Sequence, residues 1–350
     1  MSAPKGQICF ASGKTSDYDI WMMQLETGEL KQMTFGKFWN DKPNFSQDGK
    51  WIVFTSNRTG FPEVYKASCD GGEALQLTQL ERWCDCPRFS PDGSKIAFIS
   101  NEAGNNDVWV MDADGDNRQQ VTEHKGTDSW VDWTPDGRGL MWSSDRGDDA
   151  DIWYLDLSSG EKLQLTTDQG ADFNPVASPC GMFVAFVSDR QLKRNENEPF
   201  ADRDKDIWLM RADGSNPVRL TKNQGCDFCI CWSPCGKQIM YASATDNSPS
   251  HLRIMNLSSV LEAFDSGDAD AIQSSAKKLR NEKIEIDRTQ LKAEIGAVRN
   301  TNFLSQYFPE SWVESCYPTG YFGQERYPHW VDAASFNVAD ADNRSQNAKA

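Results

Sequence analysis

Five segments of the chain carry acidic and aromatic side chains close together, and these are the first candidates for chemistry. The acids are Asp41, Asp85, Asp128, Asp172 and Asp227. The aromatic residues beside them are Trp39, Trp83, Trp130, Phe173 and Phe228. Carboxylates can hold a cation or serve as acid and base groups, and aromatic rings can stack on a sugar. The same residues could instead cap turns and pack between structural units.

Cysteine and histidine offer weaker candidates for a metal site. The segment CDFCICWSPC contains Cys226, Cys229, Cys231 and Cys235, and a second segment, CDC, contains Cys84 and Cys86. A structural zinc site usually needs two Cys-x2-Cys pairs at suitable spacing, whereas cysteine in a strand is ordinarily a small apolar side chain. The three histidines are His124, His251 and His329, and no two of them form a His-x-His pair. We therefore predict no metal site, with a divalent cation in a central channel as the alternative.

Four common catalytic and nucleotide-binding motifs are absent from the sequence. The chain has no GxSxG elbow, no HExxH, no P-loop and no glycine-rich dinucleotide fingerprint. Three arginines, Arg58, Arg146 and Arg190, precede Glu63, Asp151 and Asp206, and we expect these charges to pair and to fix loops rather than to act chemically. We predict no catalytic residues and no cofactor.

The elements that position these residues follow from an internal repeat. A threonine ends a similar phrase at Thr34, Thr78, Thr122, Thr166 and Thr221, in steps of 44, 44, 44 and 55 residues. The phrase FSPDG and its variants advances in the same steps, and an aromatic residue lies 13 residues before each threonine. Several coincident periods of 40–45 residues are typical of a β-propeller, in which each repeat is a four-stranded blade.

Each repeat is predicted to form four short strands. In the clearest repeat, the first strand ends at the turn SPDG, the second is Ser94–Ser100, the third is Asp107–Asp112 and the fourth is RQQVT. Alternation in the second strand predicts that it is half-buried. The 55-residue step lengthens the loop between the second and third strands of blade 5.

The first repeat is incomplete, which suggests how the ring closes. Residues 7–34 supply only the second, third and fourth strands. Near the other end of the chain, Pro328 and Trp330 of ERYPHWV fall where Pro87 and Phe89 fall in a first strand. Because a closed ring has no open sheet edge, we predict an all-β, six-bladed β-propeller over residues 1–331. A strand at 325–331 would complete blade 1, and residues 332–350 would form a flexible tail.

The phrases DIWxMxxDG, xxQLT and SPDG resemble the repeats of the TolB-like propeller superfamily, also called WD40-like PD40 repeats. The resemblance covers about residues 7–257 and the closing strand. It implies the fold and says little about function. TolB itself is periplasmic and has an additional N-terminal domain, so the chain is identified as a relative and not as TolB. Oligogalacturonate lyases are also similar in repeat type, and they bind a metal through clustered histidines.

In such a propeller, the residues before each first strand meet at one mouth of the central channel. The acids and aromatic residues above, with Glu325 in the sixth place, therefore predict a ligand-binding site at the mouth. We predict a non-enzymatic scaffold that binds a ligand or a protein, with a sugar as one candidate ligand. The alternative is a carbohydrate-active enzyme, a lyase or a hydrolase, that acts at the same mouth.

Composition and a long insertion bear on partners and location. The net charge of −16 argues against nucleic acid binding, and no apolar stretch is long enough to span a membrane. The N-terminus lacks an apolar export signal, so we expect reduced thiols and a cytoplasmic protein, or a periplasmic one if a leader has been removed. Residues 258–324 interrupt blade 6 after its third strand with a partly helical pattern, which suggests a surface for a protein partner or for self-association.

Overall fold

The computed structural model describes residues 6–12, 18–25, 27–147, 149–190, 205–222, 225–245 and 248–281. Blade 1 contains β1 (Gln7–Ser12), β2 (Asp19–Gln24) and β3 (Leu30–Gln32). Blade 2 contains β4 (Asn40–Phe45), β5 (Trp51–Ser56), β6 (Glu63–Ser68) and β7 (Leu75–Gln76). Blade 3 contains β8 (Cys84–Phe89), β9 (Lys95–Ser100), β10 (Asp107–Asp112) and β11 (Gln119–Gln120). Blade 4 contains β12 (Asp128–Trp133), β13 (Gly139–Ser144), β14 (Asp151–Asp156) and β15 (Lys162–Gln164).

The last two blades are followed by helices. Blade 5 contains β16 (Asp172–Ala177), β17 (Phe183–Ser188), β18 (Asp206–Arg211) and β19 (Val218–Arg219). Blade 6 contains β20 (Cys226–Trp232), β21 (Gln238–Thr245) and β22 (Ser248–Asn256). The helices are α1 (Ser258–Ser266) and α2 (Ala269–Asn281). Every blade is an antiparallel sheet whose strands pair in chain order.

The blades pack side by side into a ring. The inner strands of blades 2 to 6 contact one another in turn, from β4 and β8 to β16 and β20, and β1 of blade 1 contacts β4. Blade 6 then returns to blade 1, because Met240 packs in one apolar cluster with Phe10, Trp21 and Met23. The fold is therefore the predicted six-bladed β-propeller.

The second strands are buried on both faces, not on one. In β9, Ile96, Ala97 and Phe98 are fully buried although their side chains alternate between the two faces of the sheet. Each blade lies between two neighbours, so both faces of its middle strand are covered. The prediction of a half-buried strand was wrong because alternation was interpreted for an isolated sheet.

The recurring threonine is the centre of a hydrogen-bond hub in each complete repeat. In blade 4, the Thr166 hydroxyl donates to Asp151 Oδ1 at 3.1 Å and accepts from the backbone N–H of Ile152 at 2.9 Å. The Gln164 amide donates to the other oxygen of Asp151 at 2.9 Å. This hub fixes the fourth strand against the third, which explains the phrase xxQLT.

The SPDG phrase forms the turn between the first and second strands. In blade 3, the Ser90 hydroxyl donates to Asp92 Oδ1 at 2.6 Å, and the N–H of Gly93 donates to the Ser90 carbonyl at 2.8 Å. Gly93 has φ 72°, in the left-handed region that glycine tolerates best.

The start of the insertion is helical and packs on the propeller. The Phe264 ring of α1 meets Phe183 of blade 5 edge to face, with ring centroids 5.2 Å apart. In α2, Ile272 and Leu279 are buried, and the helix contacts β19. This part of the insertion, predicted to be partly helical, therefore packs on its own chain.

The remaining predictions for this end of the chain lie outside the described residues. These are residues 282–324 of the insertion, the closing strand at 325–331, the tail at 332–350 and Glu325. No helix among the described residues is both long and apolar enough to cross a membrane.

Candidate functional site at the central channel

Every complete inner strand has the same bulge. In β4, the pairing with β5 shifts register between Asp41 and Asn44, and the other inner strands shift at the equivalent place. The residue at the bulge has a positive φ of 52–57° in each blade: Lys42, Cys86, Trp130, Asn174 and Cys229. A left-handed conformation costs a non-glycine residue about 1–2 kcal/mol. Its recurrence shows that the repeat is built around it.

Lys42 of blade 2 contacts the inner strands of blades 3 and 4. Its ammonium group donates to Asp85 in blade 3, and both side chains are almost fully buried, at 4% and 2% exposure. The same ammonium group lies 5.0 Å from the centre of the Trp130 ring in blade 4. Thr55 donates to the second oxygen of Asp85 at 3.0 Å. The charge of Asp85 is thus balanced within the protein, by a cation that is buried with it.

Asp41 has a different environment from Asp85. One of its oxygens accepts the backbone N–H of Lys42 at 2.7 Å. The other oxygen, Oδ2, is buried and has no hydrogen-bond partner among the described residues. Burial raises the pKa of Asp41 to about 8, although nearby Lys42 lowers it. Asp41 is therefore a buried acid that lacks one partner.

The acids of blades 4 and 5 pair with arginines. Arg146 donates to Asp128 Oδ1 at 3.1 Å, and Arg190 donates to both oxygens of Asp172. Each guanidinium group also lies over aromatic rings of its own blade, with Arg146 4.5 Å from the centre of the Trp153 ring. These acids hold loops in place and are not available to a ligand.

The predicted pairing of the arginines was therefore wrong. Arg146 and Arg190 bind Asp128 and Asp172, and Arg58 donates to the amide oxygen of Asn40 at 3.0 Å. Glu63, Asp151 and Asp206 instead accept hydrogen bonds from the threonines of the hubs. Sequence order suggested the nearest acid along the loop, but the first strand of the blade supplies the partner.

The five predicted acids do not form one ring around the mouth. By the repeat, Asp128, Asp172 and Asp227 are equivalent to Asn40 and Cys84, whereas Asp41 and Asp85 lie one residue further along the strand. Successive residues of a strand point to opposite sides. Accordingly, Asp128 and Asp172 face their arginines, and Asp85 faces Lys42. All five are buried.

The predicted aromatic residues are also mostly buried. Trp39, Trp83 and Phe173 are at most 7% exposed. Trp130 and Phe228 are partly buried and pack against apolar clusters. Within the described part of the chain, the predicted residues form an internal network and do not present an open stacking surface.

The cysteines of the described residues are free thiols. Burial raises the pKa of Cys86 to about 12 and that of Cys231 to about 11, so both are protonated near neutral pH. Cys180 and Cys235 are exposed. No group of three or more His, Cys, Asp or Glu side chains in the described ranges is placed to hold a metal ion.

The exposed aromatic residues on the mouth face are ones that the sequence prediction missed. Phe35 and Phe38 lie between β3 and β4, in a connection from a fourth strand to a first strand, and are 70% and 37% exposed. The equivalents of Phe35 after the other repeat threonines are Gln79, Glu123, Thr167 and Lys222. The sequence alone could therefore have indicated this site, because the residue after the repeat threonine is aromatic in one of the five connections and polar in the other four.

Comparison with known proteins agrees with this architecture. Residues 76–198 match the family model described as TolB beta propeller domain. Among curated proteins, no sequence matches this chain. The structure of putative TolB from Agrobacterium tumefaciens is similar at 21% identity and a TM-score of 0.60, covering 71% of this chain and 86% of that one.

Two other solved structures show the same fold. TolB from Acinetobacter baumannii is similar at 22% identity and a TM-score of 0.60, over 72% of this chain, and this chain spans only 61% of that protein. A chain in a nidogen/laminin complex is similar at 15% identity and a TM-score of 0.57, over 72% of this chain and 89% of that one. At these identities the likeness shows the fold alone. The resemblance inferred from the repeats is thus confirmed: residues 76–198 match the TolB beta propeller family model, and the solved TolB structures share the fold.

Proposed function

We propose that this chain is a non-enzymatic scaffold that binds a protein partner on the channel-mouth face. The observation that carries this proposal is the exposure of Phe35 and Phe38, at 70% and 37%, on the face that bears the fourth-to-first connections. Large aromatic side chains are enriched at the centres of protein interfaces, where they contribute most of the binding energy.

The channel interior supports a surface partner over a small ligand. Lys42 extends from blade 2 towards blades 3 and 4, and its partner Asp85 is buried with it. Asp128 and Asp172 are held by arginines. Because these side chains already satisfy one another, a ligand entering the channel would have to displace buried ion pairs, which is costly.

Net charge suggests the character of the partner. The chain carries 52 acidic and 36 basic residues, a net charge of −16. Complementary charge speeds association and disfavours partners of like charge. We therefore propose a partner with a basic surface that surrounds an apolar contact, and we retain the prediction of a cytoplasmic location as part of this proposal.

The experiment compares matched exposed residues on different faces. The test variant carries Phe35→Ser and Phe38→Ser, and the control carries Leu75→Ser and Leu163→Ser. The two leucines are 57% and 45% exposed, on the outer strands β7 and β15. Each immobilised protein is incubated with lysate of its source, captured proteins are quantified by mass spectrometry, and candidates are purified and titrated against all three forms.

We expect a partner whose affinity falls at least tenfold with the phenylalanine substitutions and is unchanged with the leucine substitutions. A partner that binds all three forms equally would contradict the assignment of the face. A parallel glycan array decides the alternative. Specific binding of an oligosaccharide, with turnover of that sugar, would replace the scaffold by a carbohydrate-active enzyme, a lyase or a hydrolase.

A further inference from the structure

Blade 1 lacks an inner strand in the described structure, and a groove lies in its place. β1 pairs with β2 and, among the described strands, with no other. A cavity of about 280 Å³ lies beside it. Its walls include Cys9 of β1, Phe45 of β4 in blade 2, and Cys231 and Trp232 of β20 in blade 6. The groove therefore lies between β1 and the inner strands of the two neighbouring blades.

Inner strands of adjacent blades elsewhere in the ring are joined by contacts that recur at fixed repeat positions. A tryptophan two residues after the usual proline position donates to the backbone of the preceding blade. Trp133 Nε1 donates to the carbonyl of Arg88 at 3.1 Å, and Trp232 Nε1 donates to the carbonyl of Val176 at 3.1 Å. These bonds join blades 3 to 4 and 5 to 6.

In each of these inner strands, the residue just before the aromatic position accepts a hydrogen bond from a backbone N–H of the following blade. The N–H of Phe89 donates to Asn44 Oδ1 at 2.9 Å. The N–H of Ala177 donates to Asp132 Oδ2 at 3.4 Å. A third contact starts at the bulge, where Lys42 of blade 2 donates to Asp85 of blade 3.

We propose that Glu325–Val331 of the same chain docks in this groove as the inner strand of blade 1. The segment matches the inner strands in register, because Pro328 falls at the position of Pro43 and Pro87, and Trp330 at the position of Phe45 and Phe89. The 43 residues from 282 to 324 can extend by at most about 3.3–3.6 Å each. The length of this connection therefore does not restrict the docking.

The register assigns a partner to each of three residues of the segment. Trp330 takes the place of Trp133, so its indole donates to the carbonyl of Cys231. His329 takes the place of Asn44, so its side chain accepts the N–H of Phe45. Cys231 and Phe45 lie on opposite walls of the groove, and one strand of this sequence satisfies both walls.

The third contact provides the partner that Asp41 lacks. Tyr327 falls at the bulge position of Lys42, and in blade 2 the residue at this position reaches the acid of the next blade, Asp85. The hydroxyl of Tyr327 therefore donates to Asp41 Oδ2, which is buried and has no described partner. Leaving a buried polar atom unpaired is costly, so this bond favours docking in this register.

The test uses the full chain and amide hydrogen exchange. Trp330→Ala should raise the exchange rate of the amides in residues 7–12 at least tenfold, because β1 then becomes an open edge. Trp312→Ala is the matched control and should leave these amides unchanged. Trp330→Phe restores the residue type of Phe45 and Phe89 without the indole N–H, and should raise exchange about threefold to tenfold.

A double-mutant cycle tests the register. Tyr327→Phe and Asp41→Asn should couple: the unfolding equilibrium constant of the double variant should differ about tenfold from the value expected by multiplying the two single effects. Equal exchange of residues 7–12 in the parent and in Trp330→Ala would overturn the docking proposal. Loss of protection with no coupling between Tyr327 and Asp41 would overturn the register.

Light scattering decides which copy supplies the strand. A monomer with protected amides at 7–12 supports docking within one chain. A dimer that shows the same protection, and that dissociates with Trp330→Ala, would mean that a second copy supplies the segment. That outcome would overturn the intramolecular form of the proposal.

Discussion

Blades 1 and 3 are built from repeats of the same sequence pattern, yet only blade 3 is complete in the described structure. Blade 3 has four strands, and every residue of its inner strand β8 is buried. Blade 1 has the same threonine hub, with Thr34 donating to Asp19 Oδ1 at 2.9 Å, but it has three strands and a groove at its inner edge. Local hydrogen bonds therefore build each blade, whereas the seam of the ring depends on contacts between distant parts of the chain.

A second comparison concerns the same position in blades 5 and 2. Asp172 of blade 5 forms a buried ion pair with Arg190, and Asn40 of blade 2 accepts a hydrogen bond from Arg58. Both arginines also lie over aromatic rings, with Arg190 4.8 Å from the centre of the Trp208 ring and Arg58 4.5 Å from that of Tyr65. The two arginines thus have the same position over aromatic rings, but the partner of one is a charged carboxylate and the partner of the other is a neutral amide.

The largest predicted effect separates these two blades. Arg190→Ala should lower the free energy of unfolding by about 3–5 kcal/mol, because it leaves the buried carboxylate of Asp172 without its cation. Arg58→Ala should cost about 1–2 kcal/mol, since its acceptor is a neutral amide. Urea unfolding measures both. Arg118→Ala, which breaks the partly exposed pair with Glu102, should cost less than about 1 kcal/mol. Equal losses for Arg190→Ala and Arg58→Ala would show that the ion pair is not the source of the difference.

A medium effect is expected at Asp132, the equivalent of Asn44. Burial raises the pKa of Asp132 to about 6, although Arg88 lowers it. The folded protein therefore holds this proton more tightly than the unfolded chain, so the contribution to stability is full below about pH 4. It is lost as the pH rises through 6. An asparagine side chain does not titrate, and blade 2 has asparagine at the equivalent position, Asn44.

Asp132→Asn should therefore gain stability relative to the parent as the pH rises from 4 to 7, by about 1–3 kcal/mol. The measurement is urea unfolding at several pH values, with the two proteins compared at each. Other buried acids, such as Asp107 and Asp151, titrate in both proteins and cancel in the difference. A difference that is independent of pH would contradict the assignment.

The smallest effect compares the turns of blades 3 and 5. Asp92 accepts the Ser90 hydroxyl at 2.6 Å and the N–H of Ser94 at 3.0 Å, and these bonds lower the pKa of Asp92 to about 2. Blade 5 has Cys180 at this place, with Ser178 Oγ 3.3 Å from its sulfur. Cys180→Asp should raise stability by about 0.5–1 kcal/mol at neutral pH. The reverse change, Asp92→Cys, should lower it by a similar amount, and no loss there would refute the role of the carboxylate.

The strands could be predicted closely from the sequence, and the candidate site only in part. The predicted third strand, Asp107–Asp112, is the observed β10, and α2 lies in the insertion that was predicted to be partly helical. The acids were predicted to lie just before the first strands and to form one ring, whereas they lie within those strands and face different sides. Assigning Asp128 and Asp41 to different sides of the strand required the one-residue offset, and finding their partners required the neighbouring elements.

The sequence by itself determined the repeat, the turns and the hubs, because their bonds join residues close along the chain. Ser90 and Asp92 are 2 apart, and Thr166 and Asp151 are 15 apart. Only the tertiary structure decided which acids are neutralised and which lacks a partner. Lys42 and Asp85 are 43 residues apart and meet because consecutive blades bring their inner strands together. The free energy of a buried charge depends on the groups around it, and in a ring those groups come from adjacent blades.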